Sequence, residues 1–194
     1  MGNVTGERLT ALAAVVATGI AAASGVTGAV VLTQWVVPNG VLTVGAVLAG
    51  LAAGITAAAG WRTQDRALLA LGVSVLAFAL SWPAPGLATT VLVVVAQGAL
   101  LAAGIRTTRS TRGTRRVLGW IASVAAAAWF VGLLMLSTAH VLAALPQEAL
   151  GVVLSLPYLF QCVGYLAALL LVAPPLLRPV AAGAARLWAS AEVR

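Results

Sequence analysis

The 194-residue chain contains no lysine, one cysteine, one histidine and only four acidic residues. The single cysteine, Cys162, excludes an intramolecular disulfide and a metal site built from several cysteines. The single histidine, His140, excludes a bis-histidine haem and a multi-histidine metal site within one subunit. We therefore expect no metal and no cofactor. Charged residues make up 8% of the chain and hydrophobic residues 62%, which excludes both a soluble globular domain and a disordered chain.

Long hydrophobic runs dominate the sequence. A membrane span takes about 20 apolar residues, and polar breaks divide the chain into six apolar segments. We expect an all-α fold: a polytopic transmembrane bundle of six helices arranged as three hairpins, forming one domain over residues 1–175. Residues 176–194 are expected to form a cytoplasmic tail with a short interfacial helix. The predicted spans are residues 9–37, 41–60, 67–82, 87–105, 117–144 and 149–173.

The arginines predict the orientation. If the N-terminus is cytoplasmic, all eleven basic residues fall on the cytoplasmic side, and Glu148 is the one charged residue outside. This distribution follows the positive-inside rule and predicts that both termini are cytoplasmic. It also explains the net charge of +7 without a nucleic-acid partner. The bias toward Ala, Val, Leu, Gly and Arg is typical of a high-GC genome, so we expect a multi-pass protein of the bacterial cytoplasmic membrane.

The six predicted spans contain no Asp, Glu, Lys or Arg. Transport coupled to protons or sodium generally needs a charged group at mid-depth, so this absence disfavours a secondary active transporter. Hydrolysis inside the bilayer needs a nucleophile with a base, or a metal with several ligands. We accordingly assign no catalytic residue.

Uncharged polar residues form one candidate pocket. Four residues of the last span follow the spacing i, i+3, i+4, i+7 and are predicted to share a helix face: Tyr158, Gln161, Cys162 and Tyr165. Gln97 lies near the middle of the fourth span. A Gln97–Gln161 contact would satisfy both amides as structural support, or the same residues could line a small polar pocket. Both interpretations remain open at this stage.

His140 is the sixth candidate pocket residue and is predicted toward the outer end of the fifth span. It could sense pH or bind a ligand inside a cavity. Alternatively, it could bond to headgroups, water or a helix carbonyl at the membrane interface.

Two further features concern contacts with partners. Gly50 and Gly54 form a GxxxG pattern that permits close helix packing, within the chain, with a second copy or with another membrane protein. Five arginines between the fourth and fifth spans either fix the topology or dock to anionic lipid or an acidic partner: Arg106, Arg109, Arg112, Arg115 and Arg116. The lipid bilayer itself is the other expected partner.

The middle hairpin resembles a known family. Residues 71–83, LGVSVLAFALSWP, turn into an apolar helix that ends in GALLAAGIR at residues 98–106. This pattern is similar to the hairpin unit of the HdeD-like small membrane proteins, which are six-helix bacterial inner-membrane proteins associated with acid-stress tolerance. The resemblance covers helices three and four best and departs in the last hairpin. It implies a stress-associated role and no catalytic residues.

Three functions follow from these observations. The first is a non-enzymatic integral membrane protein, either stress-associated or an accessory subunit of a membrane assembly. The second is an uncoupled channel or permease for a small neutral or hydrophobic solute. The third is a membrane enzyme acting on a lipidic substrate, with His140 or Tyr158 as an acid.

Overall fold

The computed structural model describes residues 2–31, 39–137 and 146–177, and helices account for nearly all of them. Residues 174–177 form a single further turn after the last long helix. The predicted all-α class is confirmed for these residues. The long helices are α1 Gly2–Val31, α2 Asn39–Arg62, α3 Arg66–Ser81, α4 Leu87–Ser110, α5 Thr114–Ser137 and α6 Gln147–Val172.

The helices have the dimensions and surface of a membrane protein. All of them except α3 are long and apolar enough to cross a membrane. The 16 residues of α3 rise only about 24 Å, against a hydrocarbon core of about 30 Å. Soluble proteins seldom expose large continuous apolar surfaces. Here every long helix exposes large apolar side chains, for example Leu12, Val47, Leu80, Val94, Val124 and Leu166.

The segment Arg106–Arg116 differs most from its prediction as a loop. Only residues 111–113 lie outside helices. Arginine is a good helix former, and the hydroxyl of Thr107 donates to the Ala103 carbonyl at 2.8 Å, so α4 continues through Arg106 and Arg109. Gly113 adopts a φ of +64°, which reverses the chain before α5 begins at Thr114.

Other predicted boundaries shift by smaller amounts. α1 begins at Gly2 rather than near residue 9, and α3 is preceded by Asp65, whose side chain accepts hydrogen bonds from the backbone of Ala67 and Leu68. Parts of three predicted segments lie outside the described residues, namely 32–37, 138–144 and 178–194. The interfacial helix predicted for the tail belongs to the last of these.

The helices form a closed ring in chain order. Each helix packs against the next one, and α6 returns to pack against α1. Neighbouring helices run antiparallel. In the contact between α1 and α6, for example, Gly19 lies near Leu169 and Gly25 near Tyr158. We call each such contact line between two adjacent helices a seam. α1 also touches α3 across the ring, and α4 touches α6. These four helices therefore surround the centre, while α2 and α5 lie toward the periphery.

Glycines allow the backbones of adjacent helices to approach each other closely at three of the seams. A Cβ added at Gly72 of α3 would lie 2.5 Å from the Ala57 nitrogen of α2, and one at Gly25 of α1 would lie 2.8 Å from the Tyr158 carbonyl oxygen of α6. A Cβ at Gly104 of α4 would collide with Ser123 of α5. Such close approach increases van der Waals contact, which drives helix association in membranes.

The interior between these seams consists mainly of alanine. Its buried cluster contains thirteen alanines among eighteen residues, and the five larger members are Leu71, Val75, Phe78, Leu100 and Tyr165. Because alanine side chains fill little space, backbones come close, and the few large or polar interior side chains determine how the centre is arranged.

Candidate functional site

A buried hydrogen-bonded group joins three helices at the centre of the ring. The Ser74 hydroxyl of α3 donates to the Ala96 carbonyl of α4 at 2.7 Å. The Ser74 oxygen also lies 2.9 Å from the Tyr165 hydroxyl of α6. Because the single hydroxyl proton of Ser74 is committed to Ala96, Tyr165 is the donor in the second bond. Both side chains are fully buried, so these bonds fix the relative positions of α3, α4 and α6.

An aromatic contact covers Tyr165 on one side. The ring of Phe78 in α3 packs against Tyr165 with centroids 6.0 Å apart and planes tilted by 48°. Phe78 in turn meets Trp82 edge to face at 6.1 Å. These rings lead from the buried hydroxyl group toward the end of the bundle where α3 ends.

Gln97 differs from Ser74 and Tyr165 because its buried side chain has no hydrogen bond to any described residue. It is 0% exposed, and neither its amide nitrogen nor its amide oxygen has a hydrogen-bond partner in the part of the chain that the structure describes. Leaving a buried polar group unpaired costs about 1–3 kcal/mol. In the sequence, Gln97 directly follows Ala96, whose carbonyl accepts the hydrogen bond from Ser74.

The expected Gln97–Gln161 contact is wrong. The Gln161 amide nitrogen instead donates to the Ser24 hydroxyl of α1 over 3.4 Å, and Gln97 remains unpaired. The spacing on α6 led to the error, because it places Gln161 on the same face as Tyr165 without showing that α1 adjoins that face. The contact therefore belongs to the ring-closing seam.

The other predicted pocket residues are dispersed. Tyr158 is 40% exposed and does not join the buried group. Cys162 is half-buried beside Gly25. His140 lies outside the described residues. Of the six candidates, the structure buries Gln97, Gln161 and Tyr165, and it brings each of them to a different partner or to none.

A cavity opens at the end of the bundle that carries the arginines. It has a volume of about 230 Å³ and lies between α3, α4, α5 and α6. Its walls are mainly apolar, including Leu68, Leu71 and Leu171, and its polar lining includes Asp65, Thr107 and Arg115. Leu100 lines the cavity and comes one helical turn after Gln97.

A second cavity is an apolar groove between α2 and α3, near the other end. It measures about 770 Å³. Ala46 and Gly50 of α2, Ala79 of α3 and Trp82 are among its lining residues. A Cβ at Gly50 would meet Ala79 only at 3.8 Å, and at Gly54 it would meet nothing within 4 Å. The GxxxG pattern thus lies outside the tightly packed seams.

Sequence reasoning missed Ser74, Ser24 and Leu100. Ser74 does carry a weak signal, because it is the one hydroxyl in the apolar run of residues 67–80 and hydroxyls form interhelical bonds in membranes. Ser24 is less distinct, because α1 also contains Thr18 and Thr27. Leu100 carries none, because nothing distinguishes it from its many apolar neighbours. Within the described ranges, no group of three His, Cys, Asp or Glu side chains is arranged to hold a metal.

Comparison with protein families, curated proteins and solved structures gives no match to this chain. The resemblance to HdeD-like proteins stays a prediction.

Proposed function

We propose that the chain is a non-enzymatic integral membrane protein that acts as an accessory subunit of a larger membrane assembly. The observation that carries the proposal is the unfilled small-residue face of α2. The stress-associated role implied by the HdeD-like resemblance stays a separate prediction.

The proposal includes six membrane crossings with both termini in the cytoplasm of a bacterial cell. α2 ends beside the arginines and α4 begins at the opposite end, so α3 connects the two ends despite its shorter length. The arginines of the α2–α3 and α4–α5 connections share one end of the ring, since neighbouring helices are antiparallel. The positive-inside rule supports a cytoplasmic position for that end.

Two sets of glycines in the described helices differ in how closely a neighbouring helix approaches them. Gly25, Gly72 and Gly104 lie where a neighbouring helix leaves no room for a Cβ, whereas Gly54 faces open space and Gly50 touches only a methyl group. In membranes, small residues four positions apart allow close backbone approach of another helix. Gly25, Gly72 and Gly104 therefore pack against helices of the ring itself, whereas Gly50 and Gly54 are accessible to a helix from outside.

We infer that the occupant is a membrane helix of a partner protein with small residues at matching spacing. The groove lined by Ala46, Gly50 and Ala79 provides a concave apolar surface at the outer end of α2 and α3. Gly54 continues the same line by one turn. Lipid chains cover such a surface less closely than a helix backbone does, which favours the helix through van der Waals packing.

Native mass spectrometry of the protein, gently extracted from its own membrane at native expression, tests this proposal. We expect a defined heteromeric mass. Gly54→Leu should abolish it. Gly98→Leu should leave it intact, because Gly98 also has nothing within 4 Å of a Cβ but lies on α4, which does not line the groove between α2 and α3. A monomer or homo-oligomer in the unmodified protein would overturn the accessory-subunit proposal.

An uncoupled channel or permease for a small neutral solute is the second candidate. One observation favours it: the amide of Gln97 is unpaired, and Gln97 comes one helical turn before Leu100, which lines the cavity. A solute with one donor and one acceptor would pair with both amide atoms. Passage would require Leu100 to move, because it is only 1% exposed and separates Gln97 from the cavity along α4.

Solute flux into proteoliposomes tests the second candidate. We expect Gln97→Leu to lose flux of small amides or polyols, while Gln161→Leu, which alters the α1–α6 seam, retains it. Flux equal to that of empty vesicles in the unmodified protein would reject the channel or permease.

A further inference from the structure

The cavity at the arginine-bearing end has an apolar interior. Leu68 and Leu71 of α3 face Leu171 of α6 across it, and Leu100 of α4 lies at its deepest level along that helix. Water is poorly stabilised between such walls, because a bound water needs several polar partners. It is therefore suited to hydrocarbon.

Polar lining occurs near the helix ends that form the mouth. Arg115 of α5, Thr107 of α4 and Asp65 before α3 line the cavity there. The Asp65 carboxylate accepts hydrogen bonds from the backbone nitrogens of Ala67 and Leu68, at 2.9 and 3.1 Å, so it is already engaged by α3. Among the described residues, Arg115 is the one cation in the lining.

The charge around the mouth is strongly positive. Residues 61–117 include seven arginines and one carboxylate, Asp65, and all eight lie in the connections or at the helix ends on this side of the bundle. Basic residues near a membrane surface each favour an anionic group by about 1 kcal/mol. The charge of the mouth is thus complementary to the anionic head group of an amphiphile.

The depth of the cavity matches one leaflet of a bilayer. Its lining on α4 runs from Ser110 down to Leu100, and those ten steps correspond to about 15 Å of helix rise. The hydrocarbon core of a bilayer is about 30 Å thick, so one leaflet is about 15 Å thick. A ligand whose head group lies at the membrane surface would therefore place the end of its chain near Leu100.

We infer that this cavity binds an amphiphile with an acidic head and a single hydrocarbon chain, with the head at Arg115 and the chain end at Leu100. The volume of about 230 Å³ and the depth of about 15 Å along α4 suit one hydrocarbon chain of about eight to ten carbons. Fatty acids and lysophospholipids of the phosphatidate type share this chemistry.

Photolabelling in bilayer nanodiscs of phosphatidylcholine tests the inference. The probe is decanoate with a diazirine near the chain end, and the labelled peptides are identified by mass spectrometry. We expect labelling of the cavity-lining parts of α4 and α6 near Leu100. Unlabelled decanoate and decanoyl lysophosphatidate should both compete, and the stronger competitor identifies the head. Decanol and monodecanoylglycerol, their neutral counterparts, should compete at least about fivefold less.

Matched variants separate the site from general lipid contact. Arg115→Gln should weaken labelling about fivefold, whereas Arg116→Gln, an adjacent exposed arginine outside the lining, should leave it unchanged. Thr107→Phe, which fills the mouth, should remove labelling near Leu100 without changing the melting temperature. Equal competition by the neutral amphiphiles, equal effects of the two arginine variants, or labelling confined to the outer helix faces would each overturn the inference.

Discussion

The Ser74 oxygen of α3 and the Tyr165 hydroxyl of α6 lie 2.9 Å apart, although 91 positions separate them in the chain. The Ser74 hydroxyl donates its hydrogen to the Ala96 carbonyl, so Tyr165 is the donor in the bond to Ser74. This bond ties the first half of the ring to the second through its interior, at a level where water is excluded.

The direction of that bond predicts unequal effects of removing its two ends. Tyr165→Phe leaves only a spare lone pair on Ser74, so it should lower the free energy of unfolding by about 0.5–1 kcal/mol. Ser74→Ala leaves the Tyr165 donor unpaired and should cost about 1–3 kcal/mol. Unfolding by sodium dodecyl sulphate in mixed micelles measures both. In the double variant, Tyr165→Phe should relieve part of the Ser74→Ala cost, and additive effects would contradict the bond itself. A loss in Tyr165→Phe as large as that in Ser74→Ala would contradict the assigned direction.

Two glycine substitutions compare a filled seam with an open face. Gly72→Ala places a Cβ 2.5 Å from the Ala57 nitrogen, so α2 and α3 must separate and we expect a loss of about 1–3 kcal/mol. Gly54→Ala meets nothing within 4 Å and should be neutral or stabilising by up to about 1 kcal/mol, because alanine favours the helix. Denaturation midpoints of the two variants provide the comparison. Equal destabilisation would mean that Gly54 is packed in the isolated protein.

Gln97→Leu should stabilise the fold. It replaces an amide that is buried and unpaired, and removing that penalty should raise the free energy of unfolding by about 1–3 kcal/mol. Gln161→Leu serves as the contrast, because it removes the bond to Ser24 and should cost about 0.6 kcal/mol. Both are measured by the same detergent titration. A destabilised Gln97→Leu protein would show that this amide does have a partner in the bilayer.

Asp65 should matter through the start of α3 rather than through its charge alone. Its side chain accepts from the Ala67 and Leu68 nitrogens, so Asp65→Ala should cost about 0.5–2 kcal/mol. Asp65→Asn keeps the accepting oxygen and should remain close to the unmodified protein. Thermal unfolding in nanodiscs distinguishes the two variants. A loss of equal size in both would indicate that the carboxylate charge, and not the cap, is responsible.

Sequence patterns predicted the helices well because apolar runs and their polar breaks are local features. The error at Arg106–Arg116 arose because arginines were interpreted as loop residues, although α4 and α5 extend into that segment from both sides. The arrangement of helices is not local. Nothing in the spacing of Gln161 indicates that Ser24 is its partner, and twenty glycines give no sign that Gly72 is enclosed while Gly54 is open. The polar group at the centre was found only at Tyr165, since Ser74 is a single hydroxyl in an apolar run.

The closure of the ring by the first and last helices affects how the protein is made. α1 is synthesised first, and its neighbour α6 is synthesised last, so the flank containing Ser24 and Gly25 has no protein partner until the ribosome has passed Cys162. Any chain that stops before α6 exposes that flank to lipid and to membrane quality control. A circular permutant that begins at α2 and links α6 directly to α1 would retain every helix seam while forming the α1–α6 contact as a local hairpin.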